Sequence, residues 1–104
     1  MMIRTEDFWN AGGFDETFQV AFNDIDLCMK VRAAGKKIVF TPYAELYHYE
    51  SKSRGLEDTP EKQFRFDKEV KAFEAKWSEQ LAKGDPYYSP NLSVTEGDCS
   101  LRVD

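Results

Sequence analysis

The strongest pattern in the chain is a stripe of apolar residues, Phe66, Val70, Phe73, Trp77 and Leu81, recurring at steps of four, three, four and four. That period is helical, and it predicts one long amphipathic helix over 59–84, with Thr59 as cap, Pro60 at the first helical position and Lys83-Gly84 as its end. Earlier, Leu27, Val31 and Ala34 fall at helical spacing with Cys28 beside them, which predicts a short helix with one buried face. Asn23 is its expected cap. Asp24 and Asp26 place negative charge in its first turn, Lys30 and Arg32 place positive charge near its end, and Gly35 closes it. Lys37 to Thr41 is a β-rich run ended by Pro42, and Tyr43 to Tyr49 is a second run in which Ala44, Leu46 and His48 share a face, so two short strands are expected. At the start, Met2-Ile3 reads as a strand end. Thr5-Glu6-Asp7 then opens a helical turn carrying Phe8 and Trp9, stopped by Gly12-Gly13.

These elements divide the chain into residues 1–55, a linker at 56–58, the helix at 59–84 and an irregular tail at 85–104, whose Asp85-Pro86-Tyr87-Tyr88-Ser89-Pro90-Asn91 is rich in turn formers. Hydrophobic residues at 41% and charged residues at 32% predict a folded core. Aromatics at 14% imply that a few large rings supply much of the buried area. A formal charge of −5 without a basic stripe argues against nucleic-acid binding. Cys28 and Cys99 are too few and too far apart for a disulfide framework or a zinc site, which points to a reducing cytosol. No apolar run reaches the roughly 18 residues of a membrane span, and no signal-peptide pattern opens the chain.

Asp24-Ile25-Asp26 has the form of a metal-binding Asp-x-Asp, but residues two apart on a helix point in nearly opposite directions and cannot share one ion. The candidate chemistry is therefore a single carboxylate, Asp24, at a helix N-terminus, where amides and the macrodipole favour negative charge. It acts either as a general base or simply as a charge that stabilises the helix. His48, the lone histidine, is either a ligand or a hydrogen-bonded structural residue. Arg54, with Ser51 and Ser53, lies in a polar loop where it either pairs with a phosphate or is merely solvated. Gly12-Gly13 either permits a left-handed turn or lets backbone approach a ligand. The aromatic helix face reads as core.

In order and spacing, Met2-Ile3-Arg4 with Phe8, Gly12-Gly13-Phe14-Asp15-Glu16, Phe22-Asn23-Asp24-Ile25-Asp26-Leu27-Cys28, Gly35, Pro42 and His48 through Ser51-Lys52-Ser53-Arg54-Gly55 resemble the inverting family-2 glycosyltransferases. The likeness is greatest to bacterial enzymes that build rhamnose-containing and related cell-surface polysaccharides. It covers residues 2–55, and the run from Asp85 to Ser93 looks like the end of such domains.

The resemblance implies an α/β fold, the C-terminal, acceptor-side part of a GT-A nucleotide-diphospho-sugar transferase fold. It also implies transfer of a sugar from a nucleoside diphosphate sugar to a glycan acceptor hydroxyl with inversion. Asp24 takes the place of the catalytic base, and Asn23 stands where the family most often has an acidic partner. Gly13, Asp15 and Glu16 border the acceptor pocket with Trp9 near it, His48 faces the metal or the diphosphate, and Arg54 sits in a loop that closes over the donor. The family's first strands, its uridine-contacting segment and its metal-binding Asp-x-Asp precede the matched run. A divalent cation, Mg2+ or Mn2+, is therefore expected in an intact enzyme, and none on a truncated chain, which is expected to be inactive alone and to lie in the cytoplasm or at the inner face of the membrane. The alternative is a non-catalytic acidic interaction module that dimerises or packs on a partner through its aromatic-faced helix. Self-association through surface exposed by truncation fits either reading.

Overall fold

The computed structural model describes residues 1–49 and 59–103. Four helices follow in order: α1 (Thr5–Asn10), α2 (Asn23–Ala33), α3 (Pro60–Lys76) and α4 (Ser78–Ala82). The expected loop at Ser51–Asp58 and Arg54 within it lie outside the described residues.

α3 is the central element, and its start is the one its sequence dictates. Thr59 is extended and its side chain accepts the Lys62 N–H at 3.3 Å, with Pro60 in the first turn where a missing N–H costs nothing. The expected single helix over 59–84 is instead two. Trp77 leaves helical geometry at φ −113°, ψ 24°, although it still donates to the Phe73 carbonyl at 3.0 Å and accepts from Leu81 at 2.9 Å. The residue at the break is anchored in the core, where its indole Nε1–H donates to the buried Asp26 carboxylate at 2.8 Å.

The core is small and aromatic. Phe18, Phe73 and Trp77 are buried together, with Phe22, Met29 and Ala72 packed against them. Phe22 stacks on Phe73 with ring centroids 5.1 Å apart, and Phe18 meets Phe73 edge-on at 6.0 Å. α2 adds Leu27 and Val31 on its inner face. It ends as predicted at Gly35, whose φ of +82° suits a residue without a side chain, while the Lys36 N–H reaches back to the Val31 carbonyl at 3.2 Å. α1 lies against α2, and Lys36 bridges to Asp7 at 3.7 Å.

The two expected strands at 37–41 and 43–49 do not form: the described residues there belong to no sheet, and Pro42 and Tyr43 lie in a turn. A strand is defined by its neighbour, and among the described residues none pairs with this stretch. Val39, Phe40 and Tyr43 are 80%, 89% and 94% exposed. The only strand-like pairing among the described residues is an antiparallel bridge between Leu92 and Leu101 in the tail. Ser93 is the tail's buried knot, with its Oγ accepting from Thr95 and Glu96 N–H groups and its carbonyl from Tyr88.

Candidate functional site

The centre of the site is the start of α2. Its cap is Phe22 rather than the expected Asn23: Phe22 holds a left-handed φ of +64° and its carbonyl accepts the first helical bond, from the Asp26 N–H at 2.7 Å. Asn23 and Asp24 form a short relay, in which Asn23 Oδ1 accepts from the Asp24 N–H at 2.7 Å and Asp24 Oδ1 from the Ile25 N–H at 2.8 Å. Asp24 is exposed. Asp26, two residues on, is 0% exposed, so the carboxylates part as helical geometry requires.

Asp26 lies inside an ion network. Oδ1 accepts from Trp77 Nε1 at 2.8 Å and pairs with Lys76 Nζ at 2.8 Å, while Oδ2 lies 3.5 Å from Lys30 Nζ. Lys76 also pairs with Asp15 Oδ2 at 2.7 Å, and Lys30 donates to the Gly13 carbonyl. Two ammonium groups thus answer two carboxylates, which a buried charge requires if it is to stay charged. The Lys76 hydrogen bond, helped by the Thr17 N–H, holds the Asp15 carboxyl well below the usual carboxylate range. Burial works against the charge on Lys76, but hydrogen bonds to Asp15 and Asp26 outweigh it and raise its affinity for the proton.

A second buried carboxylate, Glu69 of α3, grips the backbone just before α2. Its Oε1 accepts from Gln19 N–H at 2.8 Å and Val20 N–H at 3.3 Å, and its Oε2 from Ala21 N–H at 2.8 Å. Neither the sealing of Asp26 nor the grip of Glu69 was expected from the sequence. The signal for Glu69 was present: it falls three residues after Phe66 and four before Phe73, on the apolar stripe, where a charge must find donors.

The remaining candidates divide. Gly13 and Asp15 join the network through Lys30 and Lys76. Gly13 has φ +68°, a left-handed conformation that favours glycine, although a Cβ there would meet the Phe8 ring only at an ordinary 3.5 Å. Trp9 stands beside it, edge-on to Phe8 at 5.0 Å and 68% exposed. Glu16 is exposed on a shallow groove it shares with Thr17, Gln19, Arg65 and Lys68. His48 is exposed, in the stretch that follows α2 and outside any helix. Among the described residues no three His, Cys, Asp or Glu side chains gather as a metal centre would need.

No family model and no solved structure matches the chain. It is 52% identical over 102 residues to the uncharacterized protein y4gI of Sinorhizobium fredii, covering 97% of this chain and 11% of that protein. It is 39% identical over 109 residues to the O-antigen biosynthesis protein RfbC of Myxococcus xanthus, covering 98% of this chain and 8% of that protein. The rhamnosyltransferase WbbL of Escherichia coli is 35% identical over 49 residues, or 47% of this chain and 19% of that protein. The chain thus spans a small part of each of these relatives, and two of the three are named for building surface polysaccharide or transferring rhamnose.

Proposed function

We propose that this chain is the base-carrying, acceptor-side part of a glycosyltransferase that acts in cell-surface polysaccharide synthesis. Similarity to segments of an O-antigen biosynthesis protein and of rhamnosyltransferases supports the class of reaction. The observation that carries the site is the contrast between two aspartates two residues apart: Asp26 is consumed by structural ion pairs, whereas Asp24 is exposed at the N-terminus of α2.

In this reading the acceptor hydroxyl oxygen attacks the anomeric carbon, the bond to the diphosphate oxygen breaks with its electron pair leaving on the nucleoside diphosphate, and the hydroxyl proton passes to Asp24. Configuration inverts because attack and departure lie on opposite faces. Gly13, Asp15, Glu16 and Trp9 form the acceptor side, and His48 and Arg54 are this chain's contribution at the edge of the donor. The nucleotide and a divalent cation belong to the remainder of a longer enzyme, within a GT-A fold, and the chain alone does not turn over.

The interaction-module alternative loses its main support, because the aromatic face of α3 is taken up by Phe18 and Phe22 within the molecule. The test is Asp24→Asn in an intact enzyme containing this segment. General-base assistance is worth about 10²–10⁴-fold, so kcat should fall by that order with donor affinity nearly unchanged. An unchanged kcat refutes the assignment.

A further inference from the structure

We infer that Glu69 is a positioning residue for Asp24, acting through the backbone turn that launches α2; this rests on the reading of Asp24 as the base. Three successive N–H groups, from Gln19, Val20 and Ala21, converge on one buried carboxylate. Such a convergence is an anion-binding nest whose anion is supplied by the protein itself, from a residue 48–50 positions away. The next residue is Phe22, left-handed at φ +64°, a conformation that is unfavourable for a bulky side chain and persists only when its surroundings impose it.

Those surroundings also come from α3. The Phe22 ring stacks on Phe73 at 5.1 Å and lies 5.8 Å from Phe66, the two rings that flank Glu69 on its helix face. Phe22 in turn supplies the carbonyl that starts α2, two residues before Asp24. On the other side of Asp24, Asp26 is bound to Lys76 and Trp77, at the end of the same helix. α3 therefore fixes the backbone immediately before and immediately after Asp24 while leaving its carboxylate exposed. That is how a scaffold sets a reacting oxygen without burying it, and small displacements of such a group are costly in rate. Of the two anchors, Glu69 is the one that acts on backbone alone. Its effect is therefore on the path of the chain into Asp24 rather than on the charge around it.

The experiment is backbone amide NMR on the 104-residue chain with Glu69→Gln, which keeps size and shape but loses the charge that three donors share, and with Glu69→Asp, which keeps the charge but is shorter by one methylene. Expected are displaced resonances at Gln19 to Ala21 and at Asn23 to Asp26, with hydrogen exchange of the Asp24 to Asp26 amides about tenfold faster relative to the Trp77 amide, the difference between charged and neutral hydrogen bonding. The Trp77 indole resonance should hold its place. Asp24 to Asp26 signals that stay put, or that accelerate only in step with Trp77, overturn the inference. Loss of the fold in both variants also overturns it, since Glu69 would then uphold the whole molecule rather than one turn. Failure here leaves the rate effect of Asp24→Asn untouched, and failure there leaves these resonances untouched, so the two readings fall separately.

Discussion

Asp15, Asp26, Lys30 and Lys76 show how much a position's neighbours decide about a charged side chain. All four are ordinary ionisable residues in sequence, yet one carboxylate is fully sealed and the others are strung from it by contacts of 2.7–3.5 Å. For Asp15 the direction of the linkage is definite. Its proton affinity is depressed in the folded state by Lys76 and Thr17, so its stabilising contribution is complete above the ordinary value of 3.8 and is lost as pH falls below it. Urea unfolding as a function of pH should therefore show wild-type stability falling on the acid side, with a shallower fall in Asp15→Asn. Equal slopes would mean that the Lys76 contact does not persist in solution. The indole of Trp77 offers a second check at the same scale. Trp77→Phe withdraws a donor from a buried carboxylate and should lower unfolding free energy by about 2–3 kcal/mol, measured by the urea midpoint at unchanged slope.

At the scale of elements, what the sequence revealed and what it concealed follow from where the determining interactions lie. The start of α3 is local, since Thr59 and Pro60 act on the turn they begin, and it reads directly from the chain. So does the end of α2, where Gly35 answers to its own backbone. The start of α2 does not. Asn23 has the chemistry of a cap, but the helix is launched from Phe22, because Glu69 and the Phe66 and Phe73 rings, more than forty residues on, impose a backbone that no local preference selects. The break at Trp77 is concealed as well, as the apolar stripe runs through it unbroken and the partner of its indole, Asp26, lies far away in sequence. The strands expected at 37–41 and 43–49 fail differently: alternation describes a face, and a face becomes a strand only beside another strand. Asp24 was legible as a first-turn residue to within one position of the true cap, from the acidic charge that favours a helix start, whereas its two anchors were not.

For the molecule as a whole, a radius of gyration of 15.9 Å exceeds the ~13 Å of a compact domain of this length. The excess matches a small aromatic core with extended, exposed chain attached to it. Limited chymotrypsin digestion should make its first cuts at Phe40, Tyr43, Leu46 or Tyr47, all exposed and outside any helix, and spare α3. First cuts within α3 would contradict the architecture. The bonds that frame Asp24 all pass over that vulnerable stretch, tying residues 15–26 to residues 69–77. A scission there would consequently sever the covalent path without releasing the clasp, and the two peptides should stay together as a non-covalent pair, so the geometry around Asp24 belongs to an embrace between distant segments rather than to the continuity of the chain.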